Sequence, residues 1–305
     1  MKGRMLLSLY CSPSHLRLLV GSVSGRQATV DEFREIPLPE RSTINGIITD
    51  RDAMLRFFGG VSQEFGPYRQ DAALVIESGS IRTRLMTLPA VRQKRLPAFV
   101  RQEFGETGGE KDDVFDFAVL GPDRRQGGVE VLGIAAGKAL LRSYLDVLET
   151  AGFRVRRIDV GANALVKAAR FVPQLRASSS ILMHSDDGAL TIALFEQGRY
   201  RISQRYRLLH APASPGHFQE VADNLSSMVQ FQRSQHRDLS IETIHVLGGS
   251  VGHLQGIVEA TRFLEIPVVA LDLDGQVRLK GKASFDQGRF SSSRFLYNIG
   301  TLARR

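Results

Sequence analysis

Apolar and polar residues follow one another along the chain in two similar blocks, and each block predicts the same order of elements. The first block opens with three apolar segments separated by Ser-Pro-Ser and Ser-Gly turns, which is typical of a three-stranded meander: Met5–Tyr10, His15–Val20 and Thr29–Ile36. The pattern recurs after Ser178, in the segments Ile181–His184, Ala189–Phe195 and Tyr200–Arg205. This repetition indicates an internal duplication.

Helical periodicity follows each meander. In the first block, Asp50 stands at a helix N-cap position before the amphipathic segment Arg51–Phe65. In the second block, a long helix is predicted from His217 to about Gln235. Further helices are predicted over residues 91–104, 138–151, 162–171, 254–263 and 294–302, and further strands over 72–76, 81–87, 114–120, 129–135, 155–160, 243–247 and 268–271. Doubled α/β units of this kind form two lobes around a cleft, where a ligand would bind.

The composition is that of an ordinary globular protein of 305 residues with a single cysteine, Cys11. No run of about 18 apolar residues is present that could cross a bilayer as a helix. The net charge is +8, and one stretch stands out because six cations and no acid lie between Glu77 and Glu103: Arg82, Arg84, Arg92, Lys94, Arg95 and Arg101. The stretch is either a solvated surface or a docking face for an acidic partner or anionic lipid. Nucleic acid is not expected as a partner, because no aromatic residues alternate with these cations.

Short motifs in a characteristic order give the chain a resemblance to the PilM family of actin-like type IV pilus assembly proteins. In the first half they are Leu38-Pro39, Ile44 to Asp50, Ser80 with Arg84 and Leu88-Pro89, Val100 to Glu103, and Tyr144-Leu145 to Ala151-Gly152. In the second half they are Ser227 with Phe231, Ser234 and Gln235, then Leu247-Gly248-Gly249, and a final segment from Tyr297 to Arg304. Their order and spacing, more than any single motif, carry the resemblance.

The resemblance implies an α/β, actin-like (ribonuclease H-like) fold of two lobes, built on duplicated meander-and-helix units. Residues 1–176 would form actin-like domain I and residues 177–305 domain II. An inserted subdomain of the kind found in FtsA and PilM would occupy about residues 84–155 of domain I. In the family, a small helical lobe caps the nucleotide, but only residues 208–219 are available for it here, so we expect that cap to be reduced or absent.

Proteins of this fold hold a nucleotide with two hairpin turns, one in each lobe. Each turn uses small residues to bring backbone N–H groups to the phosphates, and each supplies a carboxylate that helps to hold magnesium. In the first turn of this chain, Leu9 stands at the position of the family's Asp and Cys11 at that of its Gly. Pro13 removes a further donor, whereas Ser12 and Ser14 are retained.

The second turn has lost the same features. His184 stands at the position of the second Asp, and Asp186 at that of the Gly. Asp186 and Asp187 belong either to an ordinary Asp-Asp-Gly hairpin turn or to a cation site. His184 is expected to be a hydrogen-bonded core residue. The glycine turn at Gly248-Gly249, on the adenosine side, is intact, although a strand-to-helix turn favours glycine without any ligand.

These differences predict a degenerate, non-catalytic member of the fold, with neither ATP nor magnesium as a cofactor. If a nucleotide does bind, Ser12, Ser14, Gly248 and Gly249 are its expected contacts. The alternative is a divergent ATP-binding ATPase of the same machine.

The resemblance also implies a cellular role and a partner. Family members are cytoplasmic, lie against the inner membrane, and bind the cytoplasmic tail of PilN in a groove formed with the inserted subdomain. We therefore expect a scaffold of a pilus or pilus-like secretion machine, with a PilN-like tail, the assembly platform, its motor ATPase and a second copy of the chain as candidate partners. The cations between Arg82 and Arg101 are the expected partner-binding residues.

Overall fold

Two sheets with the same strand order form the framework of the protein. The computed structural model describes residues 5–66, 68, 71–106, 112–123, 127–235 and 240–303. The strands are β1 (Leu6–Cys11), β2 (His15–Ser24), β3 (Gln27–Pro37), β4 (Thr43–Ile44), β5 (Ile47–Ile48), β6 (Ala72–Ile76), β7 (Arg82–Leu88), β8 (Asp113–Pro122), β9 (Val129–Gly137), β10 (Val155–Val160), β11 (Ser180–Asp186), β12 (Ala189–Glu196), β13 (Arg199–Arg207), β14 (Thr243–Leu247), β15 (Val268–Leu271) and β16 (Val277–Leu279). The helices are α1 (Arg51–Glu64), α2 (Leu96–Glu106), α3 (Lys138–Thr150), α4 (Gly161–Ala169), α5 (Gln174–Ala177), α6 (Pro215–Gln235), α7 (Val251–Thr261) and α8 (Leu296–Leu302).

The duplication predicted from the sequence is present in the topology. The first sheet has the order β3-β2-β1-β6-β10, extended by β16 beyond β3, and the second has the order β13-β12-β11-β14-β15. In both, an antiparallel meander is joined by two parallel strands beside its first strand. Because the ends of β1, β6 and β11 lie along the gap between the lobes, the two meander turns face each other.

Strand β1 is buried on both faces, which explains its nearly continuous apolar sequence. Leu7 and Leu9 pack with α1 and α3 on one side of the sheet. Tyr10 points to the other side, where α4 and α8 form a second core. Helix α1 begins as predicted, since the Asp50 carboxylate accepts a hydrogen bond from the backbone N–H of Ala53.

The C-terminal residues return to the first lobe, whereas we expected all of residues 177–305 to belong to the second domain. Strand β16 pairs in parallel with β3 of the first sheet. Helix α8 is buried over its whole length and packs on α4 and β1. A three-residue strand in a polar, turn-rich stretch has no measurable periodicity, so its pairing could not be predicted from the sequence. Arg304, part of the final motif, lies outside the described residues.

The inserted unit is smaller than the predicted range of residues 84–155. Its sheet has the order β7-β9-β8, and α2 covers one face with its own apolar core, which includes Met86, Val100 and Phe117. Helix α3 lies outside this unit, because its apolar face packs with α1 in the first lobe. The helix predicted from residue 91 begins at Leu96, after one 3₁₀ turn over Gln93–Arg95. Pro97 is tolerated there, since the first turn of a helix leaves its N–H groups unpaired.

The second lobe carries no capping subdomain in the described region. Only residues 208–214, all described, connect β13 to α6. None of the described helices is both long and apolar enough to cross a membrane.

The contact between α4 and α8 depends on a glycine, and this provides a test of the packing. A Cβ atom on Gly300 would lie 1.9 Å from the carbonyl oxygen of Ala164. We expect Gly300→Ala to force the helices apart and to lower the free energy of unfolding by about 1–3 kcal/mol. In Gly60→Ala on α1, no atom lies within 4 Å of the new methyl group, and the helix gains up to about 1 kcal/mol. Urea denaturation of both variants measures the difference, and equal effects would contradict the close approach.

Candidate functional site

The two meander turns meet at the centre of the cleft, and one arginine joins them. Arg17 lies on β2, paired across the strands with Tyr10 on β1 and Glu35 on β3. Only 2% of its surface is exposed. Its side chain contacts three carboxylates: Nε lies 2.9 Å from Glu35, Nη1 2.5 Å from Asp186, and Nη2 3.2 Å from Asp187. Two of these acids belong to the second lobe, so the guanidinium is an ionic bridge between the lobes.

The Asp-Asp-Gly turn is shaped to present both carboxylates to the first lobe. Asp187 and Gly188 have positive φ angles of 46° and 76°, as a two-residue hairpin of this twist requires. The Ser12 hydroxyl donates a short hydrogen bond to Asp187, and His15 Nδ1 lies 3.1 Å from the same oxygen. Burial by itself would raise the pKa of Asp187, but the Ser12 hydrogen bond and the charge of Arg17 outweigh it and hold the pKa below its usual range.

Asp186 is equally committed to contacts within the protein. The Tyr10 hydroxyl donates a 2.8 Å hydrogen bond to its second oxygen. Burial, and then the nearby charge of Asp186, raise the pKa of Tyr10 well above its ordinary value, so the phenol stays protonated and continues to donate. Both carboxylates of the turn are therefore paired, and a cation site at this turn, the alternative left open by the sequence, would require breaking those pairs.

A second ion pair joins the two lobes, and both of its residues line a cavity of about 220 Å³. Glu77 follows β6 in the first lobe, and its carboxylate lies 2.6 Å from Nε of Arg205 on β13 in the second. Burial raises the pKa of Glu77 to about 6, although the Arg205 charge opposes this rise. No motif in the sequence marks either residue as part of a site, because the two are separated by more than a hundred positions.

The residues that replace the two expected carboxylates are core residues. Leu9 is fully buried among the apolar side chains under the first sheet. His184 is 1% exposed, and its Nε2 donates to the backbone oxygen of Ser293 at 2.9 Å. Burial lowers the pKa of His184, so the ring is neutral at physiological pH. The expectation that His184 is a hydrogen-bonded core residue is met. Burial also raises the pKa of Cys11 to about 12, which keeps that thiol protonated.

A polar cavity of about 850 Å³ remains on the Gly248 side of the Arg17 bridge. Gly248 and Gly249 line it with positive φ angles of 80° and 96°. Its charged lining residues are Arg17, Arg294, Glu35, Asp186 and Asp187, which leaves acids in excess of these cations. Of the predicted nucleotide contacts, the two glycines face this cavity, whereas Ser12 is 3% exposed and bonded to Asp187. Ser14 is exposed and contacts His15 Nδ1 at 2.7 Å.

No magnesium–nucleotide group fits the turns as they stand. Leu9 and His184 supply no carboxylate, and Asp186 and Asp187 face Arg17. Across the described parts of the chain, three or more His, Cys, Asp or Glu side chains do not come together in a way that would hold a metal ion.

The six cations predicted to bind a partner separate into two groups. Arg82 forms an ion pair with Asp113, and Arg84 lies 3.9 Å from Glu103. Arg101 lies against the ring of Phe115, with its guanidinium carbon 6.0 Å from the centroid. The other three, Arg92, Lys94 and Arg95, lie together on the exposed 3₁₀ turn before α2. The structure therefore brings only part of this set into one surface.

A groove of about 260 Å³ lies between the inserted unit and the first lobe, and no motif in the sequence predicted it. One wall is residues 117–120 of β8, the edge strand of the small sheet, and the other is α4, with Gln93 at one end. On α4, Lys167 is buried and lies 2.5 Å from Asp159, which also accepts a hydrogen bond from Asn163. The sequence indicates this buried pair only through a lysine inside the apolar segment of α4, eight positions after an aspartate.

Comparison with known proteins identifies the fold. No protein-family model and no curated protein sequence matches the chain. Among solved structures, the PilM–PilN type IV pilus biogenesis complex is similar at a TM-score of 0.72, with 17% identity over 97% of both chains. A Bacteroides thetaiotaomicron protein of actin-like ATPase fold and unknown function is similar at a TM-score of 0.52, with 12% identity over 90% of this chain and 93% of that one. The cytoplasmic domain of EpsL, an inner-membrane component of the Vibrio cholerae type II secretion system, is similar at a TM-score of 0.50. The identity is 12% over 99% of this chain and 97% of the EpsL domain.

These similarities agree with the fold expected from the sequence motifs. The chain has the actin-like ATPase fold, and its whole described architecture resembles that of PilM.

Proposed function

We propose that this protein is a non-catalytic scaffold of a type IV pilus or pilus-like secretion machine, and that it binds the cytoplasmic tail of a PilN-like inner-membrane protein. The main support for a non-catalytic protein is the Arg17 bridge. The groove between β8 and α4 supports the binding of a tail, together with the similarity to a PilM–PilN complex. The protein would lie against the membrane through this partner.

The Arg17 bridge opposes nucleotide binding because it occupies the place where the two turns would hold phosphates. A triphosphate there would meet Asp186 and Asp187, and magnesium could use those carboxylates only if Arg17 left them. Breaking a buried ion pair costs about 3–5 kcal/mol. A micromolar ligand binds with only about 8 kcal/mol. The loss would weaken a nucleotide of micromolar affinity to a dissociation constant of roughly 0.2–5 mM.

The groove suits a peptide in extended conformation. Strand β8 pairs only with β9 within the described residues, so its outer edge has backbone groups available for a further strand. Ala118 and Leu120 point to the side where α4 packs, so side chains of an added strand would meet apolar surface there. Addition of a strand to a sheet edge gains affinity from backbone hydrogen bonds and specificity from alternate side chains.

A divergent ATP-binding protein of the same machine is the second candidate. The open cavity of about 850 Å³ and the intact turn at Gly248 and Gly249 favour it. The excess of carboxylates in that cavity and the lack of a cap in the described second lobe oppose it. Binding measurements separate the two candidates directly.

Isothermal titration calorimetry with ATP and magnesium tests the non-catalytic assignment. We expect no saturable binding up to about 0.1 mM, because the Arg17 bridge must open before phosphates can enter. Binding in the micromolar range that is lost in Ser250→Trp, a change in the lining of the open cavity, would establish the second candidate instead.

Replacing Arg17 tests whether the bridge holds the lobes together. In Arg17→Met, three carboxylates lose their shared cation, and the free energy of unfolding should fall by about 3–5 kcal/mol. Arg26→Met, at an exposed position in the turn after β2, should change it by less than about 0.5 kcal/mol. Chemical denaturation of both variants measures the two effects, and equal losses would contradict the bridge.

The pH dependence of the Arg17 effect has a definite sign. In the wild type, the pKa of Asp187 is held low, so its pairing stabilises the protein at neutral pH and is lost as pH falls through that lowered pKa. Without Arg17, the pKa of Asp187 loses one of the charges that lower it, so part of this pH-dependent stabilisation disappears. The deficit of Arg17→Met should therefore be complete above about pH 5 and shrink as the pH falls from there to about 3. A deficit independent of pH would mean that Arg17 acts through packing alone.

Binding of the tail peptide tests the groove. The probe is a synthetic peptide of the cytoplasmic tail of the PilN-like protein from the same cell. Ala118→Arg places a long side chain in the groove and should weaken binding at least about tenfold. Val114→Arg adds the same side chain to the same face of β8, at a position 43% exposed and outside the groove, and should leave binding unchanged. Fluorescence anisotropy measures both, and equal affinities for all three proteins would exclude this groove.

A further inference from the structure

The exposed turn that precedes α2 concentrates positive charge without internal compensation. Arg92, Lys94 and Arg95 are all exposed. Within the described residues, no carboxylate lies within ion-pair distance of any of the three, whereas Arg82 and Arg84 on the neighbouring strand do have acidic partners. Like charges so close together repel each other, and none of the described residues neutralises them. A surface of this kind gains stability when an anionic partner covers it.

The position of this turn relative to the groove suggests what that partner is. Gln93, at the start of the turn, lines one end of the groove between β8 and α4. Arg170, an exposed cation that follows α4, lines the same cavity from the opposite wall. Arg170 therefore brings a cation to the groove from the first lobe, and Arg92 and Lys94 flank the groove residue Gln93 in the inserted unit. We call these four residues, Arg92, Lys94, Arg95 and Arg170, the basic rim.

We propose that the basic rim binds the anionic headgroups of a lipid bilayer. The orientation rests on the proposed function, since a groove that holds the tail of a membrane protein must open close to the membrane surface. Three observations support the rim without relying on the proposed function. Its side chains are exposed, no described carboxylate pairs with Arg92, Lys94 or Arg95, and Gln93 and Arg170 line the groove.

Two features favour a lipid surface over an acidic segment of a protein. The side chains of Arg92, Lys94 and Arg95 have no hydrogen-bond partners among the described residues, so they are not held in the fixed geometry with which arginine recognises single carboxylates. They are three exposed cations on one short turn, which suits a surface of diffuse negative charge. None of the large hydrophobic side chains that the structure exposes lies in residues 89–98, all of which are described. The contact would accordingly be electrostatic and shallow, without insertion into the acyl chains.

The expected strength follows from the number of cations. Each Lys or Arg near an anionic leaflet contributes roughly a fivefold gain in binding. Reversing three of the four rim charges should therefore weaken vesicle binding by at least about a hundredfold. Binding should also fall steeply with salt, because screening shortens the reach of the charges to about 8 Å at physiological ionic strength.

Vesicle co-sedimentation of the full chain, with no tail peptide present, tests the proposal. The probes are vesicles of phosphatidylcholine mixed with phosphatidylglycerol, and vesicles of phosphatidylcholine alone. The wild type should bind the anionic vesicles and not the neutral ones. The triple variant Arg92→Glu, Lys94→Glu, Arg95→Glu should lose this binding and keep the wild-type melting temperature, since all three side chains are exposed.

A matched control separates the rim from net charge. Arg26→Glu, Arg56→Glu and Arg289→Glu together change the net charge by the same amount at exposed, scattered positions. This control should retain binding to anionic vesicles within about threefold. An equal loss in both triple variants would show attraction by overall charge and would overturn the proposal.

Vesicle binding by the wild type and peptide binding by the variants also distinguish a lipid from a protein partner. If the wild type does not bind anionic vesicles at low salt, the rim is not a lipid surface. Loss of tail-peptide binding in the rim variant would then assign it to an acidic protein segment. If vesicles bind through the rim but the tail peptide binds no more weakly to Ala118→Arg than to the wild type, the lipid surface stands and the proposed groove fails.

Discussion

The central constraint on this structure is the burial of one guanidinium between two lobes. Arg17 is almost completely removed from water, and a buried cation is tolerated only where acidic partners surround it. Glu35 supplies one partner from the same sheet, and the Asp-Asp-Gly turn supplies two from the other lobe. The positions of the two sheets are therefore coupled by charge at the cleft between the lobes.

The surrounding elements hold that arginine in place. Asn298 on α8 donates a 3.0 Å hydrogen bond to the backbone oxygen of Arg17, and the neighbouring Tyr297 hydroxyl lies 3.0 Å from Thr191 in the second lobe. Helix α8 thus contacts both sheets, although its sequence follows the second. Its close packing on α4 in turn positions the helix that forms one wall of the groove. The ionic bridge, the C-terminal helix and the groove are mechanically connected through a single buried core.

The proposed loss of catalysis and the proposed retention of binding surfaces have one physical explanation. The Arg17 ion pairs join the two lobes across the cleft through the protein's own side chains. The edge of β8 and the basic rim lie apart from that bridge, across α4. Under the proposed function, these internal contacts provide the frame on which the groove and the charged surface are presented.

The order of helices and strands, the duplication and the lack of both family carboxylates were predictable from the sequence, because periodicity and turn residues act locally. Residue identities at positions 9, 11, 184 and 186 were sufficient to predict a cleft without its magnesium ligands. Only the tertiary structure decided what replaced them: the contacts of Arg17 with Asp186 and of Glu77 with Arg205 join residues more than a hundred positions apart, and an isolated arginine in a strand carries no sign of its partner. The same holds for the return of β16 and α8 to the first sheet, and for the division of the six cations between the inserted sheet and the exposed turn. Local sequence determines which elements form, whereas long-range burial and charge pairing determine which of them meet.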